Sequence, residues 1–127
     1  MSEATFDTGA LIALERRDER IRKVVTRAVA VGVRIVVPAA VVTEWWRGRS
    51  DARERILGGL VVEPLSECIA KVAGEALAAV KGATAIDAIV MASAAMRGAV
   101  VYTSDLDDLE KLRSHFPGVR VFGVGMG

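Results

Sequence analysis

Four carboxylates stand in this sequence where carboxylates are normally avoided: Asp7, Glu44, Asp87 and Asp105. Asp7 closes the apolar, β-branched stretch Ala4-Thr5-Phe6, where Asp is disfavoured unless it caps a helix or has chemistry to do. A cap for a helix beginning near Gly9 is the simpler of the two. Glu44 has Val41 and Ala40 three and four residues before it, so it is expected to leave its helix from a buried face. The alternative is a pair with Arg47 on a solvated face. Asp87 is the only charge before Arg97 in the run Thr84 to Met96, which is apolar nearly all round and therefore predicts burial. A lone buried carboxylate needs a partner or a metal, or it takes up a proton. Thr84 and Asp87 also fit a capping box, a role that leaves carboxylate oxygen to spare. Finally, Ser104-Asp105-Leu106-Asp107-Asp108 puts three acids after an apolar run. Ser104 with Asp107 reads as a second capping box, leaving Asp105 and Asp108 without a local task.

Asp7 and Asp105 each follow a predicted strand, which places both at the carboxyl edge of a sheet. In open α/β sheets, ligands bind at that edge where the strand order reverses. Four carboxylates gathered there without a Lys repel one another, and a hard divalent cation such as Mg²⁺ or Mn²⁺ relieves the repulsion through oxygen ligands. Such a cluster is equipped for metal-assisted phosphodiester hydrolysis, in which the cation acidifies a water and offsets charge on the phosphate. No His or Lys base is needed, which suits a chain whose one histidine is His115.

The elements that must position these acids alternate. Strands are predicted at Ala4 to Asp7, Arg34 to Val37, Leu60 to Pro64, Ala99 to Thr103 and Val119 to Phe122. The first helix begins near Leu11 and breaks near Arg17-Asp18. Asp18 caps a second, to about Ala30, with Gly32 closing it. Further helices are expected from Ala39 to about Arg49 and from Ala52 to Leu57. Ser66 caps one to about Val80, Thr84 starts one to Arg97 with Gly98 beyond it, and a short one spans Leu106 to Leu112. Continuous apolar strands alternating with helices predict a parallel α/β sheet covered on both faces and joined by right-handed crossovers.

Composition narrows the class. The 127 residues carry 17 Lys+Arg against 16 Asp+Glu, with 52% hydrophobic and 26% charged residues. This is globular rather than disordered and fits one domain, residues 1–127. The lone Cys68, expected as a buried thiol, allows no internal disulfide, and His115 is expected at the surface. Neither a membrane span nor a secretion signal is read from the sequence, so a soluble cytoplasmic protein is expected. The near-neutral charge is unevenly spread: Glu15 to Arg55 holds eleven basic and six acidic residues. Arg suits bidentate phosphate contacts, although Arg-rich helices also serve as plain solvated faces.

The sequence resembles the PIN-domain family, and within it the VapC-type toxins of bacterial toxin–antitoxin pairs. Phe6-Asp7-Thr8-Gly9-Ala10-Leu11 looks like the family's opening motif and Val42-Thr43-Glu44 like its helical Glu. Ile86-Asp87-Ala88-Ile89-Val90-Met91-Ala92 looks like its third motif, and Val101-Tyr102-Thr103-Ser104-Asp105-Leu106-Asp107-Asp108 like its closing one. The four occur in order, at spacings of 37, 43 and 18 residues. The resemblance implies an α/β/α sandwich with a parallel sheet in the order 3-2-1-4-5. It also implies a Mg²⁺- or Mn²⁺-dependent ribonuclease, usually a homodimer, inhibited by a small antitoxin whose tail occupies the acidic groove. Carried over, Asp7, Glu44, Asp87 and Asp105 are the catalytic metal-binding carboxylates, Asp108 or Asp107 assists through water, and Thr103 orients the site. Arg47, Arg49 and Arg53 are the RNA phosphate contacts this reading suggests. One position departs from the pattern: Gly9 stands where many members carry Ser or Asn, so a hydrogen bond from that side chain is missing.

Other classes fit less well. Asp7-Thr8-Gly9 is the signature triplet of aspartic proteases, but that fold is nearly all β. A receiver-type phosphoacceptor domain carries an acidic pair and a Lys that Ser2-Glu3 and the tail Gly123 to Gly127 do not supply. A PIN fold kept as a partner-binding module, with weak or lost nuclease activity, is the remaining alternative. Of Trp45 and Trp46, about 100° apart on a helix, one is expected in the core and the other at an interface.

Overall fold

Every strand of the sheet is short, and its neighbours fix its place. In the computed structural model, which describes residues 3–124, the strands are β1 (Ala4–Phe6), β2 (Ile35–Pro38), β3 (Val61–Glu63), β4 (Val100–Thr103) and β5 (Val121–Gly123). All pair in parallel, in the order β3-β2-β1-β4-β5. The helices are α1 (Thr8–Glu15), α2 (Glu19–Val31), α3 (Ala39–Trp45), α4 (Asp51–Gly58), α5 (Glu67–Ala79), α6 (Ala85–Arg97) and α7 (Leu106–Glu110). The predicted α/β class and strand order are those observed, and a parallel sheet rules out the all-β protease.

Helix boundaries follow local chemistry. Asp18 accepts hydrogen bonds from the Arg20 and Ile21 amides, Ser66 from Ile69 and Thr84 from Asp87, each satisfying first-turn donors. Gly32 and Gly98 close α2 and α6 at φ 76° and 64°, a left-handed conformation open to glycine at little cost. Alternation along β1 assigns the faces of the sheet. Thr5 receives a hydrogen bond of 2.7 Å from Arg97 of α6, so α6 lies over that face. Ala4 points the other way, into a hollow bordered by α2 through Val24 and Ala28.

The core runs through β1, β2 and β4 and the inner side of α6, where Ala88, Val90, Met91, Ala92 and Ala94 are buried with Phe6, Leu11, Val37 and Val101. Each large side chain among them contributes about 1.5–3 kcal/mol. One polar knot lies inside this packing. Arg97 donates to Glu3 (2.8 Å), Thr5 and Ser93 (2.9 Å) and lies 3.2 Å from Glu63, while Ser93 donates to Glu63.

Several expectations are corrected. The helix predicted to reach Arg49 ends at Trp45, because the chain turns sharply at Arg47 (φ 46°), whose Nε returns to the Glu44 carbonyl. The last strand begins two residues later than predicted and ends one later, with Val119 held in a turn by its bond to Phe116. The short helix after β4 stops at Glu110 rather than Leu112. Edge strand β3 is not covered on both faces, since Val61 and Val62 are 39% and 40% exposed. Cys68 is exposed on the outer side of α5, not a buried thiol, and His115 is exposed as expected. Trp45 is the core tryptophan, tied by its indole N–H to Glu15, and Trp46 is half-buried. Among the described residues, no helix is long and apolar enough to cross a membrane. Ser2 and Gly125 to Gly127, used above against a receiver domain, lie outside the described residues.

Candidate metal centre

The strand order dictates where the acids meet. After β1 the chain crosses to β2 on one side, while β4 lies against β1 on the other, so the carboxyl ends of β1 and β4 flank the switch point. Phe6 pairs with Tyr102, which sets Asp7 level with Thr103. Asp7 is buried and caps α1, its Oδ1 accepting from the Ala10 amide at 2.9 Å. Its Oδ2 accepts from the Thr103 hydroxyl at 2.5 Å. The Thr103 oxygen in turn accepts from the Asp105 amide at 2.8 Å, so one threonine couples the two acids across the strands. Capping takes one Asp7 oxygen and leaves the other on Thr103, beside Asp105.

Asp87 lies half-buried in the first turn of α6, its amide held by Thr84 at 3.1 Å. Glu44 corrects the expectation of a buried face: it is exposed, and it does not pair with Arg47 through its carboxylate. Its carboxylate is instead taken by the Thr8 hydroxyl at 2.5 Å, which links α3 to the first turn of α1 beside Asp7. This contact of Thr8 is one that the sequence does not reveal, because its partner lies 36 positions away. Asp105 and Asp107 are exposed and Asp108 half-buried. The expected Ser104–Asp107 capping box is absent: Asp105 is the N-cap of α7, without a side-chain cap bond.

The electrostatics are those of unrelieved negative charge. Burial pushes the Asp7 carboxyl up to about 6, against its hydrogen bonds from Thr103 and Ala10, and the charges of Asp87 and Asp105 push it further. Asp87 is raised first by burial, then by Asp108, Asp105 and Glu44. The neighbouring Asp108 carboxyl holds Asp105 above its ordinary value, while Asp105 and Lys111 hold Asp108 below its own. The cation facing this group is Lys111, 3.3 Å from Asp108. Among the described residues no three acidic, histidine or cysteine side chains converge closely enough to form a ready-made metal cage. The charges of Asp87 and Asp105 nevertheless reach Asp7, those of Asp108, Asp105 and Glu44 reach Asp87, and every donor is a hard oxygen. A hard divalent cation would suit such oxygen donors, and Asp7, Asp87 and Asp105, with Glu44, are the residues that could hold one.

The chain matches the PIN domain family over residues 4–114. It belongs to that family. Among curated proteins no sequence is significantly similar to this PIN chain. Solved structures share its fold at low identity. A chain of the DNA-bound VapBC from Salmonella typhimurium superposes with a TM-score of 0.74 at 22% identity, covering 97% of this chain and 98% of that one. A chain of VapBC2 from Rickettsia felis, bound to a promoter DNA fragment, gives 0.79 at 11% identity, with 96% and 98% covered. A toxin–antitoxin complex from Klebsiella pneumoniae gives 0.67 at 20%, with 92% and 95% covered.

Beside the acids, a cavity of about 650 Å³ is lined by Thr8, Glu44, Arg16, Arg47 and Arg53 among others. The three arginines singled out from sequence differ in their surroundings. Arg47 is exposed and, among the described residues, bonds only the Glu44 carbonyl, whereas Arg53 is held by Glu15 (3.1 Å) and the Gly48 carbonyl (2.9 Å). Arg49 lies 3.4 Å from Asp51 and 3.5 Å from Glu54, outside that cavity.

Proposed function

We propose that this PIN protein is a Mg²⁺- or Mn²⁺-dependent endoribonuclease, the toxin of a toxin–antitoxin pair, working as a homodimer and inhibited by a cognate antitoxin. The observation that carries the nuclease reading is the buried Asp7, held between Thr103 and Ala10 and pushed up to about 6 beside Asp87 and Asp105. A carboxyl held near 6 is mostly ionised at neutral pH but at a cost of burial and repulsion, and positive charge beside it would relieve that cost. When bound, the cation supplies an acidified water for attack on a phosphodiester and offsets negative charge on the phosphate. Thr103 fixes the Asp7 oxygens and the Asp105 backbone, and Thr8 orients Glu44 toward the same edge. Arg47 and Arg16, beside Glu44, offer positive charge to the flanking RNA phosphates. The toxin–antitoxin part rests on likeness to the VapBC and Klebsiella complexes.

The test is cleavage of total cellular RNA by the purified chain with Mn²⁺ or Mg²⁺, with EDTA, and by an Asp87→Asn variant. Asn keeps the backbone amide that Thr84 caps, so the variant is expected to fold with an unchanged circular dichroism spectrum. Discrete fragments that require metal and vanish in the variant are expected. Cleavage that survives EDTA or the substitution refutes the mechanism. A folded chain that cuts nothing but copurifies with a partner returns the weight to a partner-binding module.

A further inference from the structure

Gly9 and Ser104 share one volume. A β-carbon built on Gly9 meets the Ser104 hydroxyl oxygen at 1.9 Å, its β-carbon at 3.0 Å and its backbone nitrogen at 3.1 Å. The first distance is far inside van der Waals contact, so the hydroxyl occupies the space that a side chain at position 9 would fill. Any residue larger than glycine there turns the Ser104 hydroxyl aside and presses on its β-carbon and backbone nitrogen. Gly9 lies in the first turn of α1, two residues after Asp7, and Ser104 lies between Thr103 and Asp105. Both neighbours of Ser104 are pinned: Thr103 donates to Asp7, and the Asp105 amide donates to Thr103. The backbone at Ser104 is therefore held at the switch point, and its exposed side chain is free of the capping task its sequence suggested, since the N-cap of α7 is Asp105.

We propose that Ser104 is a positioning residue of the cation site. Its hydroxyl reaches across from the β4 side to supply the oxygen that a side chain at position 9 would otherwise bring from the β1 side. This rests on the metal-dependent reading above. The chemistry suits the place, because a hydroxyl both donates and accepts. It can orient a water or a carboxylate oxygen without adding charge where Asp7, Asp87 and Asp105 already repel one another. The glycine that looks like a missing hydrogen bond in the sequence is then one half of an exchange whose other half is Ser104.

Calorimetric titration of Mn²⁺ alone into the full chain tests this, beside Ser104→Ala, Gly9→Ser and the swap Gly9→Ser with Ser104→Gly. Groups that orient metal ligands are typically worth 10–100-fold in affinity. Ser104→Ala is expected to weaken Mn²⁺ binding about tenfold while its unfolding midpoint in EDTA stays that of the parent. Gly9→Ser alone crowds two hydroxyls into one volume and is expected to lose affinity and stability together. The swap is expected to recover most of both. Unchanged Mn²⁺ affinity in Ser104→Ala overturns the proposal, as does a folded swap variant that binds no better than Ser104→Ala. Failure of the parent chain to bind Mn²⁺ at all overturns the metal reading itself, a result distinct from either.

Discussion

Replacing Asp7 by Asn should abolish RNA cleavage and yet make the protein more stable at alkaline pH. The Asp7 carboxyl lies near 6 in the folded protein against an ordinary value of 3.8. Its folded value is raised, so between about pH 4 and 6 the folded state binds more protons than the unfolded one. Stability contributed by the protonated form is therefore present at low pH and is lost as the pH rises through 6. At about 1.36 kcal/mol per unit, the full cost of the ionised group is about 3 kcal/mol, of which about 1.4 kcal/mol accrues between pH 5 and pH 8. Asn removes that cost. It can still accept from the Ala10 amide, but its NH₂ cannot accept the Thr103 proton, and one unsatisfied buried donor costs about 1–3 kcal/mol. The variant is thus expected to gain up to about 2 kcal/mol on the parent at pH 8. That advantage shrinks by about 1.4 kcal/mol at pH 5. Urea unfolding of both proteins, in EDTA and at one fixed protein concentration, measures the difference at the two pH values. A parent–variant difference equal at pH 5 and pH 8 would show that Asp7 is not held at a raised value, and the electrostatic argument for the site would fall with it.

Thr103→Val removes both the donor to Asp7 and the acceptor of the Asp105 amide, and urea unfolding should report a loss of about 1–3 kcal/mol. The same variant should raise the pH at which Asp7 titrates, seen as an upward displacement of the stability profile. Arg97→Met leaves Glu63 without its cation and Glu3 with Arg34 alone, each glutamate a little over a fifth exposed. Because water still reaches them, the loss should fall near the low end of the roughly 3–5 kcal/mol found on breaking buried pairs, read from the urea midpoint. Arg47→Ala should weaken binding of a labelled single-stranded RNA to the Asp87→Asn protein and lower its salt dependence by about one charge. Arg49→Ala, whose guanidinium lies among Asp51 and Glu54, should change neither.

Much of this protein is legible in its sequence, for local reasons. Caps are written in short patterns, so Asp18, Ser66 and Thr84 start helices and Gly32 and Gly98 end them where the pattern says. Boundaries set by distant packing are not: α3 ends at Trp45 because the chain must turn at Arg47, and β5 begins only where its backbone meets β4. Glu44 shows the same division. Its apolar neighbours argue for a buried face, but α3 is short and turns Glu44 out to meet Thr8 of α1.

The sequence by itself determined the class of fold and the inventory of acids, because periodicity, capping and apolar runs act within a few residues of one another. Only the tertiary structure decided what those acids feel. The charge felt by Asp7 depends on Asp87 and Asp105, and its hydrogen bond on Thr103, all brought to one edge by a strand order that no local pattern encodes. It also decided that Ser104 fills the space left by Gly9, a relation between residues 95 positions apart that exists only where β1 lies against β4.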